Sequence, residues 1–462
     1  MKPQFSVLSS QFSVSQPVWR GHSCPRPLTL ILILIVSTLP KLCFAQEKPV
    51  VLKSGKLLTV THGVIESGVI VMQGGKIAAV GPSSSVTIPS EAKVIDATGM
   101  TIYPGLIDSE TQLGLTEISA ENMTNDLVEL SEEIMPHMHT ADAFHAESVL
   151  IPVARMNGIT NAVVSPEGAD TLPGQDSFIQ LAGASAPEML LIRDNAMPLN
   201  FTGDERRNKG GFDKRKFPST RMGLAAQLRQ AFLDAQDYKS KWIDYERKKS
   251  EAAQNNSKDK KPEPTAPKHD LKLEALIPYL EGKKTVVLAA QTSSDLQTAV
   301  SLANEFKLKF VLNHIAHSQP ILDYVASLKV PVIVGPIYED PKEDERYDTV
   351  YSLPAQLYKR GVKIVFASYS AHNVRNLPDQ AGFATAFGLP YDEALKAITL
   401  NAAEVWGVAD QLGSLDVGKT ANIVVANGDP LDVKTDVKQV FIQGRAIPMT
   451  SRQTQLRDEY SK

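Results

Sequence analysis

At 462 residues, with 43% hydrophobic and 22% charged side chains, the chain has the make-up of a folded protein. It is long enough for one large domain and a smaller companion. Its 48 basic and 52 acidic residues give a net charge of −4, which sets aside nucleic acid as a main partner.

Residues 1–45 read as a signal peptide. Arg20 and Arg26 precede the apolar run "LTLILILIV", and Ala45 closes "LCFAQ", so cleavage is expected between Ala45 and Gln46. The run is shorter than the roughly 20 residues of a comfortable bilayer span. An uncleaved anchor is the alternative, because the leading segment is long and Lys41 interrupts its exit. Cleavage predicts an exported protein, periplasmic or secreted, with no stable membrane span. Cys24 and Cys43 both lie in this segment. The remainder then has no thiol, which excludes disulfides, cysteine–zinc sites and cysteine nucleophiles.

From Lys48 to Ala97 short strands follow one another, with Gly74-Gly75 as a tight hairpin between two alternating apolar runs. A further strand pair is expected around Gly99. The far end, "DQLGSLDVGKTANIVVANGDPLD" and "VKQVFIQGRAI", has the same texture. Residues 46–103 and part of 401–462 are therefore assigned to one small composite β-sandwich built from both ends. Between them, over 104–400, Val- and Ile-rich runs recur: "ITNAVVSP", "EMLLIRD", "KTVVLAA", "LKFVLNH", "VPVIVGP" and "VKIVFAS". Helical stretches separate most of them. One is "SSDLQTAVSLANEFK", with Ser293 or Ser294 as N-cap and Leu296, Val300, Leu302, Ala303 and Phe306 on one face. Counting the opening strand gives about seven runs, close to a (β/α)8 TIM-like barrel of the α/β class with a parallel sheet. The charged stretch 238–270 reads as a solvated insertion. Its front half extends a helix begun at Arg221, and "NNSKDKKPEPTAP" is a loop.

Three stretches carry a family resemblance: "VIDATGMTIYPGLID", "GVKIVFASYSAHNVRNLP" and "EALKAITLNAAEVWGVADQLGSLDVGKTANIVVANGDPL". With the N-terminal strands they resemble the amidohydrolase superfamily, on its imidazolonepropionase-like branch, over nearly all of Lys48 to Tyr460. The resemblance implies metal-dependent hydrolysis of C–N bonds other than peptide bonds, at the C-terminal mouth of the barrel. It also implies where the metal ligands belong. The His-x-His pair falls on Glu110 and Gln112, the next histidine on Ala289 (with Gln291 two residues on), the following one on His314, and the metal-binding aspartate on Tyr369. An amide is a poor zinc ligand and alanine has no donor, so Glu110 and His314 are the two ligands left where a catalytic zinc needs three. A phenol with an ordinary pKa near ~10 is not a neutral-pH base.

Other polar groups are weighed in the same way. His137, His139 and His145 have metal-capable spacing but read as a loop leading into the helical stretch "TADAFHAESVLIPVARMNG". "GADTLPGQDSFIQLAG" reads as a Gly-punctuated turn, from which Gln175 and Asp176 reach a ligand or merely pack. His372, Asn373, Arg375 and Asn376 offer donors at the mouth, and an arginine there suits a carboxylate-bearing ligand; otherwise they only fix their loop. His317 is a weaker candidate.

Two readings result. In the first, the chain is a non-catalytic homologue without the usual metal centre. It acts as a binding protein for a small molecule, or as a partner of an intact amidohydrolase paralogue or of its own copies. Its pocket is expected around Gln112, Gln175, Tyr369, His372, Asn373 and Arg375, with no cofactor. In the second, a reduced site survives: Glu110 and His314 hold one zinc with a third group, or Glu110 serves as a metal-free base.

Overall fold

Val- and Ile-rich runs from the two chain ends form strands of one sheet in the computed structural model. It describes residues 48–129, 131–167, 170–201, 217–218, 220–254, 263–341 and 344–461. The expected signal peptide and its cleavage point lie outside the described residues. From the first end come β1 (Val50–Leu58), β2 (Val64–Gln73), β3 (Lys76–Pro82), β4 (Lys93–Asp96) and β5 (Thr101–Pro104). The middle contributes β6 (Leu106–Thr111), β7 (Ile159–Val164), β8 (Asp176–Gln180), β9 (Leu190–Asn200), β10 (Thr285–Ala289), β11 (Lys309–Asn313), β12 (Val332–Val334) and β13 (Ile364–Phe366). The far end adds β14 (Ile423–Ala426), β15 (Val437–Ile442) and β16 (Arg445–Ile447).

The sheet made from both ends has the order β16-β15-β14-β5-β1-β2-β3, with β4 also paired to β1. The expected hairpin joins β2 to β3, and both Gly74 and Gly75 take positive φ, as such a turn requires. β5 is the link between the two ends: it lies parallel to β1 and antiparallel to β14. Leu52, Leu57, Ile70, Ile102, Ile423 and Phe441 share one core, so each end buries the apolar face of the other.

The middle forms an eight-stranded sheet in chain order, β6 to β13. Seven of its strands are the parallel runs read from the sequence. The eighth, β8, lies in the stretch expected to be a turn, and it is antiparallel to both β7 and β9. Asp176, Ser177 and Gln180 interrupt its apolar character, yet all five residues are buried. Neighbouring groups satisfy Ser177, whose Oγ donates to Arg193 O at 2.7 Å and accepts from Thr140 Oγ1 at 2.9 Å. Between the edge strands, hydrogen bonds just beyond the ladder close the ring. Tyr369 N donates to Glu110 O at 3.0 Å, and Ser368 N to Asp108 Oδ1 at 3.0 Å.

Two helical expectations are corrected. The helix Ser293–Glu305 is capped by Thr292 rather than by either serine: the Thr292 side chain accepts from Asp295 N. The single helix expected over 140–158 is two short pieces, Thr140–Ala143 and Leu150–Met156. The helix Arg221–Gln254 has 34 residues, and those it buries are Leu224, Leu228, Phe232, Ala235 and Tyr238. The distal half is thus solvated, as the charge density implies; residues 255–262 of the expected loop lie outside the described residues. Among the described residues no helix is long and apolar enough to cross a membrane.

Candidate functional site

Strands β6, β9, β10, β11 and β13 end round one cavity of about 190 Å³, whose wall includes Glu110, Gln112, Asn200, Asn313, His314 and Tyr369. Parallel strands finishing at one face bring their last side chains to a common mouth, which is where barrels of this kind build sites.

Asn313 organises this mouth. Its Nδ2 donates to Glu110 Oε2 at 2.5 Å, and its Oδ1 accepts from the His314 backbone at 2.8 Å and from the Tyr369 hydroxyl. His314 Nε2 lies 3.9 Å from Glu110 Oε1, beyond hydrogen-bond range. The His314 and Tyr369 rings pack at 4.5 Å between centroids, tilted by 41°. Both residues take positive φ, +56° and +52°, a region that costs a non-glycine residue about 1 kcal/mol or more and that recurs at functional sites.

Burial dominates the electrostatics. Burial and the charges of Asp176 and Asp108 hold the Glu110 carboxyl well above the usual carboxylate range, against the opposing hydrogen bond from Asn313. Burial pushes the His314 imidazole down to about 4, so it is neutral at neutral pH. Burial, with the charges of Glu110, Asp108 and Glu339, pushes the Tyr369 phenol well up. Deeper in the barrel, burial pushes Asp108 up to about 7 and Asp176 up to about 8. Asp108 Oδ2 and Asp176 Oδ1 have no hydrogen-bond partner among the described residues.

The other residues singled out in the sequence divide into two groups. Gln112, Ala289, Gln291, His314 and Tyr369 line the cavity with Glu110. His372, Asn373 and Arg375 do not: they sit exposed on the turn at Asn373–Asn376, with the His372 and Asn373 backbone amides held by Ser370 Oγ at 3.2 Å each. Gln175 lies away from this cavity. It is buried, its Nε2 donating to Pro136 O at 2.8 Å and its Oε1 accepting from the Tyr279 hydroxyl at 2.8 Å, and it borders a neighbouring cavity instead. Asp176 is buried within β8. His139 pairs with Asp194 at 2.7 Å and His145 with Asp126 at 2.7 Å, so these two are committed to different partners. His317 pairs with Glu345 at 2.8 Å. Asn313 was missed, although a polar residue closing the apolar run "KFVLN" beside His314 was a signal for it.

The sequence model of the amidohydrolase family matches residues 285–447. Amidohydrolase tasK of Hapsidospora irregularis is 27% identical over 401 residues, which cover 83% of this chain and 39% of that protein. Imidazolonepropionase of Geobacillus kaustophilus is 45% identical over 56 residues, 11% of this chain and 13% of that protein. The chain therefore spans about two fifths of the length of the first relative and less of the second. The crystal structure of an amidohydrolase from Thermotoga maritima superposes with a TM-score of 0.76 at 26% identity, covering 87% of this chain and all of that one. These likenesses are to amidohydrolases, in sequence over residues 285–447 and in fold over most of the chain.

The donor set at the mouth does not fit the metal that the resemblance implies. Among the described residues no group of three or more His, Cys, Asp and Glu side chains is placed to hold a metal ion. Apart from Glu167, the cavity wall round Glu110 and His314 offers amides (Gln112, Asn200, Gln291, Asn313), hydroxyls, a phenol and Ala289. A zinc ligand must be an anion or a neutral imidazole, and the phenol is held protonated.

Proposed function

We propose that this chain is an exported, non-catalytic member of the imidazolonepropionase-like branch that uses its barrel mouth to bind a small molecule, alone or as the partner of an intact enzyme. The observation that carries this reading is the Asn313 arrangement. Glu110, the carboxyl at a family ligand position, is occupied by an amide that is in turn fixed by the Tyr369 hydroxyl and the His314 backbone. Protein groups thus satisfy one another where the family's reaction needs open coordination. We take the composite sheet as the family's small sandwich, on the strength of the core shared between its two ends. Export is motivated by the apolar run and Ala45-Gln46; N-terminal sequencing of the native product should begin at Gln46.

The test of the non-catalytic reading is elemental analysis of protein purified from zinc-supplemented cells. Substoichiometric metal is expected; about one zinc per chain, removable together with a hydrolytic activity, overturns it. A second reading is favoured by the Glu110 carboxyl being held protonated, as a general acid would be. It requires that Glu110→Gln and His314→Ala each abolish turnover of an amide, lactam or dipeptide. Variants that match the native chain on every such substrate end it.

A further inference from the structure

Beside the Glu110 cavity lies a second one of about 170 Å³, and Pro166 forms a wall common to both. Its lining is mixed: Leu115, Leu127, Val128, Met138, Ala143 and Pro173 give it apolar surface, and Asn125, Asp126, Glu129, His139, Thr140 and Gln175 give it polar surface. It has room for about five groups the size of a water molecule, at roughly 30 Å³ each. The Glu110 cavity therefore has beside it a second compartment that offers an apolar patch.

Charge is distributed unevenly between the two signs. The described residues that line the two cavities include Glu110, Glu167, Asp126 and Glu129, and neither Lys nor Arg. His139 is committed to Asp194, and Arg375, which would have supplied a cation, stands exposed on its turn outside both linings. Below Glu110 lie Asp108 and Asp176, 0% and 1% exposed. Each has one carboxyl oxygen without a partner, and both bear electrostatically on Glu110. Asp108 is two residues before Glu110 on β6 and so shares its face of the strand. Buried carboxyls are ordinarily satisfied by a hydrogen bond or a countercharge, and here the described protein supplies no cation to these three. A positive group above Glu110 would supply that countercharge as the carboxyl gives its proton up to solvent, and the tilted rings of Tyr369 and His314 offer it aromatic surface as well. A carboxylate-bearing ligand would offer these acids no countercharge and would gain nothing from their ionisation.

We propose that the barrel mouth binds a small organic monocation, an alkylammonium with its charged head on Glu110 and its hydrocarbon arm in the Leu115–Met138 cavity. This rests on the mouth being a binding pocket. Zinc analysis decides whether the chain is metal-free, whereas the ligand panel decides the sign of the ligand's charge, so the two readings fail separately. The experiment is isothermal titration calorimetry of the full chain with propylammonium, hexylammonium, hexanol and hexanoate. Hexylammonium is expected to bind about tenfold or more tighter than hexanol or hexanoate, and tighter than propylammonium. Glu110→Gln should erase the preference for the charged head. Ala143→Leu, which fills the second cavity, should erase the gain with chain length and keep the charge preference. The inference is overturned if hexanol or hexanoate matches hexylammonium, if folded Glu110→Gln keeps the preference, or if no amine binds up to ~10 mM. The panel on the native chain decides the matter even where a variant does not fold.

Discussion

His314 and Tyr369 hold left-handed backbone conformations, φ +56° and +52°, at the two points where side chains must turn from the barrel ends into the mouth. A β-carbon is strained there and glycine is not. His314→Gly should therefore be more stable than His314→Ala by about 1 kcal/mol, although both lose the same ring. Urea unfolding midpoints of the two variants measure this, and equal midpoints would mean that the turn relaxes once the imidazole is gone. A second expectation at this scale concerns pH. Asp108 and Asp176, pushed up to about 7 and about 8, keep protons in the folded protein that the unfolded chain releases near ~4. Stability from them is therefore present at low pH and is lost as pH rises toward those values. His314, pushed down to about 4, acts in the opposite sense, but only up to its unfolded pKa of ~6.5. Above that the carboxyls act alone, with Glu110 adding in the same direction. Stability should fall by roughly 2 kcal/mol between pH ~6.5 and ~8, and Asp176→Asn should flatten the upper part. A level profile in urea titrations at the two pH values would contradict the assignment.

Among the elements, the link from β5 to β6 is the most constrained. A β-carbon on Gly105 would lie 2.1 Å from Thr160 Oγ1 and 2.4 Å from its Cγ2. Thr160 is short, β-branched and fully buried, with its hydroxyl bonded to Asn161 Oδ1 at 2.9 Å, so it has little room to yield. Gly105→Ala should cost about 2 kcal/mol by overpacking, measured as a lowered melting temperature; an unchanged melt would show that β7 shifts to absorb the methyl. Pro104-Gly105 was legible as the end of a strand, but the reason for the glycine was not, because Thr160 lies 55 positions away. Strand β8 shows the same limit. Its polar residues look like a turn until the neighbours that bond them are in place.

At the scale of the whole molecule, both chain ends are needed for one sheet. β5 pairs β14 over Thr101–Pro104, and Asn422 connects the sheet to the barrel through Asn161 at 2.9 Å and the Gly105 amide at 2.9 Å. Truncation before β14 would bare the shared core of Leu52, Ile70 and Ile102 and the open edge of β5. A chain ending at residue 412 should lose cooperative unfolding by circular dichroism and elute as aggregate. A monodisperse, cooperatively folding product would show that the barrel and the first sheet half stand alone.

Apolar periodicity and turn chemistry act over a few residues, so seven barrel strands, the Gly74-Gly75 hairpin and the pairing of the chain ends could be read from the linear chain. So could the placing of Gln112, Ala289 and Tyr369 beyond or at the ends of their strands, since those positions follow local motifs. The Asn313 bridge to Glu110, the occupied amide of Gln175, the removal of Arg375 from the mouth and the uncompensated carboxyls of Asp108 and Asp176 were decided by tertiary structure alone. Glu110 and Asn313 are 203 positions apart; which groups share a buried space, and therefore which charges lack a partner, is settled only when the barrel closes.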